Sequence, residues 1–80
     1  MITPYANETE TYRIDQLTVE NREDRVQLYG SLDITRDKKG LAHAKELLNL
    51  IEKVVKTLEG DSLPEQVELR TPNTVANPFD

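Results

Sequence analysis

The side chains that could support chemistry are few and scattered along this chain of 80 residues. His43 is the only histidine and there is no cysteine, which excludes histidine pairs, thiolate metal sites and disulfides. Ser31 and Ser62 could act as hydroxyl nucleophiles, but neither lies in the glycine-flanked elbow of a serine hydrolase. No catalytic residue, metal ligand or cofactor is therefore predicted, and we do not expect an enzyme.

Three carboxylates form a local acidic group. Glu20, Glu23 and Asp24 lie together in a predicted hairpin loop, and paired carboxylates can hold a divalent cation or act as acid and base. Their spacing does not match a calcium-binding loop, and Arg22 and Arg25 lie among them. A solvated turn is the favoured interpretation.

A basic group precedes the longest predicted helix. Arg36, Lys38 and Lys39 lie close to its first turn and form a candidate anion contact. The lone Gly40 cannot build a glycine-rich phosphate loop. The net charge of −5 also disfavours binding to nucleic acid. A nucleic-acid-associated regulator that uses the patch Arg36–Lys45 is the first alternative function.

The strongest structural signal is an amphipathic helix over Leu41–Leu58. One apolar set recurs at steps of three and four, which places it on one helix face; it contains Leu41, Ala44, Leu48, Ile51, Val55 and Leu58. A second set widens the apolar arc beyond what one packed face needs; it contains His43, Leu47, Leu50 and Val54. The first set is expected to be the core face, and the surplus predicts a second buried surface or another chain.

Three strands are predicted around this helix. Arg25–Ile34 alternates strictly between apolar and polar residues, which is typical of an antiparallel strand with one buried face. Thr11–Val19 is the first strand, and a change of parity near Asp15 indicates a bulge or two partly buried sides. Glu65–Arg70 is a short candidate for the third strand.

These elements predict a two-layer α+β domain in the order β-β-α-β. An antiparallel three-stranded sheet of order 2-1-3 packs on one long amphipathic helix. Residues 1–10 are expected to form a flexible N-terminal arm, residues 11–70 the domain, and residues 71–80 a disordered tail. In the predicted core, three helix residues pack on three strand residues: Leu48, Ile51 and Val55 on Val26, Leu28 and Leu32.

The functional expectation is a small non-enzymatic protein-interaction module or accessory protein. The candidate interface comprises His43, Leu47, Leu50, Val54 and Tyr29. A homodimer through the apolar surface of Leu47, Leu50 and Val54 is expected if the third strand does not cover that surface. The second alternative is an accessory subunit of an enzyme. The start of the chain shows no targeting signal and no apolar run spans a bilayer, so we expect a cytoplasmic protein without membrane association.

Overall fold

A computed structural model describes residues 1–67 of the chain. It contains three strands followed by one helix: β1 (Thr11–Ile14), β2 (Gln16–Asn21), β3 (Val26–Ser31) and α1 (Lys38–Glu59). The strands form an antiparallel sheet in the order β1-β2-β3. The predicted α+β class, with a three-stranded antiparallel sheet and one long helix, is confirmed.

The predicted order of the strands is wrong. The sheet is a meander of order 1-2-3 rather than 2-1-3, and all three strands precede the helix. Residues 65–67 form no strand after the helix. The remainder of the predicted strand, residues 68–70, and the predicted tail, residues 71–80, lie outside the described residues.

A tight turn at Asp15 divides the predicted first strand into β1 and β2. Asp15 has a φ of 54°, a left-handed conformation that aspartate tolerates in turns. Tyr12 pairs with Val19, and Ile14 pairs with Leu17. Because directly paired residues lie on the same face of a sheet, these four side chains share one face although their sequence parity changes. The parity change therefore marks a hairpin rather than a bulge.

The second hairpin joins β2 to β3 through residues 22–25, where the amide of Arg22 donates to the carbonyl of Arg25 at 2.9 Å. The strand β3 ends at Ser31, three residues earlier than predicted. Gly30, paired with Leu17, has a φ of +103°, and an added Cβ would overlap the carbonyl oxygen of Gln16. The glycine is therefore required by the backbone.

The inner face of the helix is formed by the second apolar set rather than by the predicted first set. The core cluster consists of Ile2, Val19 and Leu50, all at most 2 % exposed. Four partly buried side chains pack around it: Tyr12, Val26, Leu47 and Val54. The predicted core residues Leu48, Ile51 and Val55 are instead 55 %, 40 % and 45 % exposed. The predicted helix set for the core is therefore wrong.

A close backbone approach at Gly40 explains which helix face turns inward. Gly40 is buried, and an added Cβ would overlap the backbone of Thr35. The loop before the helix therefore crosses directly over this position. Leu47 and Val54 follow Gly40 at steps of seven residues, so they lie on the same side of the helix. The contact at Gly40 turns this side inward.

The N-terminal segment predicted to be a flexible arm packs against the domain. Ile2 belongs to the core cluster and Pro4 is buried. Asn21, which is 0 % exposed, accepts a hydrogen bond from the amide of Tyr5 at 2.8 Å and donates to the carbonyl of Thr3 at 2.7 Å. One buried side chain of β2 therefore fixes the first residues of the chain.

The helix orientation predicts unequal effects for two leucines. Leu50→Ala should lower the free energy of unfolding by about 2–5 kcal/mol, because it empties a buried site. Leu48→Ala should lower it by less than about 1 kcal/mol, because Leu48 is exposed. Urea denaturation at low micromolar protein measures both values. Equal losses, or a larger loss for Leu48→Ala, would contradict the observed helix face.

A second prediction concerns the anchor at Asn21. Asn21→Asp keeps the shape and an acceptor for Tyr5 but cannot donate to Thr3, so it should lower the free energy of unfolding by about 1–3 kcal/mol. Hydrogen exchange of the Tyr5 amide should accelerate, because the free energy of opening that protects this amide should fall by at least the same amount. If Tyr5 exchanged at the rate of an unstructured peptide in the wild type, the arm would not be anchored in this way.

Candidate interaction surface

An apolar stripe runs along the outer side of α1. Leu41 and Leu48 are each 55 % exposed, and Ile51 and Val55 continue the same line. With Ala44 between the first two leucines, these residues follow steps of three and four, the spacing of the seam between two packed helices. We call these five residues the helix stripe. At about 100° per residue they fill an arc of roughly 80°, beginning about 100° from the buried Leu50.

Charged residues flank the helix stripe on the side away from the core. Lys45, Glu52 and Glu59 are exposed and recur at steps of seven. Their positions correspond to the flanking sites that set partner choice and orientation in coiled coils. On the other side, the stripe borders the partly buried Leu47 and Val54. The stripe is thus an apolar band with one charged margin and one margin continuous with the core.

The helix N-terminus carries the predicted anion contact. Arg36, Lys38 and Lys39 are exposed, as that prediction requires. However, the carboxylate of Asp37 already caps the helix: its Oδ1 accepts from the amide of Gly40 and from Thr35 Oγ1, each at 2.7 Å. The negative charge of the protein itself therefore lies where an external anion would approach the first-turn amides.

Hydrogen bonds determine the acidity of this capping group. The Thr35 hydroxyl, and then the Gly40 amide, hold the pKa of Asp37 below its usual value because both donate to the charged form. Lys39 contributes by electrostatic attraction. The folded state therefore favours the ionised carboxylate over a wider pH range than the unfolded chain does.

Most of the predicted interface residues lie inside the domain. Leu50 is 0 % exposed, and Leu47 and Val54 pack against the core cluster. His43 is half-buried on the same side, and its Nδ1 is buried with no hydrogen-bond partner among the described residues. The three apolar residues therefore belong to the core, and the apolar surface of α1 that residues 1–67 leave exposed is the helix stripe.

Tyr29, the fifth predicted interface residue, lies on the outer face of the sheet. It is 50 % exposed, and its hydroxyl donates to Glu20 Oε2 at 2.7 Å. This hydrogen bond to a carboxylate raises the pKa of Tyr29. Glu20 also forms an ion pair with Arg22 at 3.2 Å. The Tyr29 hydroxyl is thus fixed on the outer face of the sheet by a specific partner.

The predicted acidic group is held by its neighbours. Asp24 pairs with Arg25 at 3.3 Å, and the amide of Glu23 donates to the carboxylate of Glu8 at 2.6 Å. Among residues 1–67, no three histidine, cysteine, aspartate or glutamate side chains are placed to hold a metal ion. Glu20 lies in β2 rather than in the predicted loop, whereas Glu23 and Asp24 lie in the exposed turn between β2 and β3.

Comparisons with other proteins add no assignment to this geometry. The chain matches no protein-family model, no curated protein and no solved structure. Among the described residues, α1 has too many polar positions to cross a membrane, and no other helix is present there that could do so. The functional argument therefore rests on the surfaces of the domain itself.

A pH prediction follows from the cap at Asp37. Because the folded state lowers its pKa, its contribution to stability is complete above the unfolded pKa, near 3.8, and is lost as the pH falls through the folded pKa. Asp37→Asn keeps a capping oxygen without the charge and should reduce the loss of stability between about pH 5 and pH 2. Thermal melting across this range measures the difference.

The matched control is Glu65→Gln, which removes one carboxylate from the exposed segment after α1. Asp37→Ala should lower the melting temperature by several degrees at neutral pH, whereas Asp37→Asn should change it little. An Asp37→Asn protein with the same pH profile as the wild type would show that the capping charge does not contribute.

Proposed function

We propose that this chain is a small, non-enzymatic protein-interaction module that binds another polypeptide through the helix stripe. The observation that carries the proposal is the exposure of Leu41, Leu48, Ile51 and Val55 along one line of a single helix. Contiguous apolar surface of this kind is uncommon on monomeric proteins and is typical of binding sites. The proposal places the module in the cytoplasm.

The chemistry of the stripe favours a helical partner. Side chains at steps of three and four present knobs to a facing helix, which is the arrangement by which helices recognise one another. The charged margin formed by Lys45, Glu52 and Glu59 supplies both signs of charge, which allows a partner helix to be selected by complementary pairs. A membrane surface would instead require a predominantly basic polar face.

Rigid placement of the stripe also supports binding. α1 has 22 residues and is therefore about 33 Å long. Its inner side is held by Leu50 in the core and by the close approach of Thr35 to Gly40. The outer side chains are thus displayed on a preformed element, so binding would not require the helix to fold first.

The test compares two substitutions that add the same charge at neighbouring positions. Leu48→Glu places a carboxylate in the helix stripe, and Asn49→Glu places one on the exposed polar side. Full-length proteins immobilised at equal density are used to capture interacting chains, including the protein itself, from the native source, with identification by mass spectrometry. We expect the wild type and Asn49→Glu to retain the same polypeptide, and Leu48→Glu to lose it.

Circular dichroism of both variants must first show an unchanged helix content. If a folded Leu48→Glu protein captured the same chains as the wild type, the stripe would not be the binding surface. If neither the wild type nor Asn49→Glu bound any polypeptide, itself included, the proposed function would be wrong.

A further inference from the structure

We infer that the partner of the helix stripe is a second copy of this chain, bound antiparallel about a two-fold axis. The inference rests on the proposed function and specifies the occupant of the same surface. It is carried by two kinds of self-complementarity, one apolar and one electrostatic, which a single register satisfies together.

The apolar complementarity comes from the order of residues along the stripe. The residues of the helix stripe occupy two alternating positions of a helix–helix seam, with Leu41, Leu48 and Val55 in the first position and Ala44 and Ile51 in the second. In an antiparallel pair of helices, each first-position residue faces a second-position residue of the other helix. With the two-fold axis between Leu48 and Ile51, Leu48 faces Ile51 of the second copy. In the same register Leu41 reaches the end of the stripe near Leu58, and the small Ala44 faces Val55. Each large side chain at the seam therefore meets an apolar neighbour.

The electrostatic complementarity appears in the charged margin. In this antiparallel register Lys45 of one copy lies close to Glu52 of the other, and the two-fold axis forms this pair twice. In a parallel pair, the charged margin of each copy would instead face the margin of the other copy that contains Leu47 and Val54. Since Lys45 and Glu52 would then have no opposite charge to pair with, the margin favours the antiparallel orientation.

The charges at the two ends of the helix also favour the antiparallel orientation. Arg36, Lys38 and Lys39 surround the N-terminus, where the helix dipole of their own chain disfavours positive charge. Glu59 and Asp61 lie at the opposite end. Antiparallel packing places the basic end of one copy beside the acidic end of the other. The unfavourable location of the cations within one chain becomes favourable between two chains.

Sedimentation equilibrium on the full chain from about 5 to 500 μM tests the association. We expect the mean mass to rise from 9.2 kDa towards twice that value with increasing concentration. Leu48→Glu should weaken the dimer by at least about tenfold, because it buries a charge at the seam. Asn49→Glu, with the same added charge outside the stripe, should dimerise as the wild type does.

Charge reversal tests the register. Lys45→Glu alone and Glu52→Lys alone should each weaken the dimer about threefold to tenfold, because each creates a like-charged pair. The double variant carrying both substitutions restores opposite charges and should recover the affinity of the wild type. Failure of the double variant to recover, with both single variants weakened, would contradict the Lys45–Glu52 pairing.

Spin labels test the orientation independently, since the chain has no cysteine. Labels at Asn49→Cys lie near the two-fold axis and should give a short distance between copies. Labels at Ala42→Cys should be separated by about 22 Å along the helix axis, because each residue rises about 1.5 Å. A parallel dimer would give similarly short distances at both positions and would overturn the inference.

The outcomes separate this inference from the proposed function. A wild type that stays monomeric at 500 μM overturns the second copy as the partner. If a different polypeptide is then captured in a manner that depends on Leu48, the interaction module remains and its partner is another protein. If residues 68–80 of the same chain occupied the stripe, their deletion would convert a monomer into a self-associating species, which also overturns the inference.

Discussion

The close approach of the Thr35 backbone to Gly40 is the constraint on which the arrangement of the helix depends. A side chain at position 40 would overlap this backbone, so the loop can cross the helix only above a glycine. Because Leu47 and Val54 lie on the same side of the helix as Gly40, the crossing turns them towards the sheet. The alternative apolar set is left on the outer side. One steric contact therefore separates a core face from a binding face in a helix that has apolar residues enough for both.

The sheet completes the core with help from the first residues of the chain. Ile2, from the N-terminal segment, is 2 % exposed and belongs to the same cluster as Val19 of β2 and Leu50 of α1. Its position depends on Asn21, whose amide group bonds to the backbone of Thr3 and Tyr5. A buried amide must be paired on both its donor and its acceptor side to be tolerated. The N-terminal segment is thus held in place by β2, and the buried side chain of Asn21 in β2 is paired by the backbone of that segment.

The sequence was sufficient to predict the class of fold and the identity of the long helix, because periodicity reports directly on local structure. Strict alternation indicates β3. The parity change near Asp15 indicates a bulge or two partly buried sides, whereas the structure has a tight turn there. Strand order was not predictable in the same way. The short run around Val67 resembled a strand locally, but only the pairing of β1 with β2 through a tight turn decides that the sheet is a meander.

The sequence predicts only part of the candidate site, because periodicity shows that the helix has apolar faces but not which of them faces the core. Both apolar sets of the helix were visible in the sequence, and their combined width indicated two buried surfaces. Which set faces the core depends on the contact of Gly40 with the Thr35 backbone and on the packing of Ile2 in the core cluster, neither of which has a periodic signature. The only local signal was Gly40 itself, seven residues before Leu47. A glycine in the first turn of an otherwise strong helix suggests a close backbone crossing on that side.

The limited core and the exposed stripe are consequences of the same geometry. Among residues 1–67 the fully buried apolar side chains are Ile2, Ile14, Val19 and Leu50, a small set for a domain of this length. Domains of this size often gain stability from association, because burial between subunits adds to burial within one. The outer side of α1 carries the five apolar residues of the helix stripe, and its inner side carries Leu47, Leu50 and Val54. Association through the stripe would bury it and make the stability of the fold depend on protein concentration. Folding would then depend on the inner side of α1 and binding on its outer side, and the contact at Gly40 determines which side faces the core.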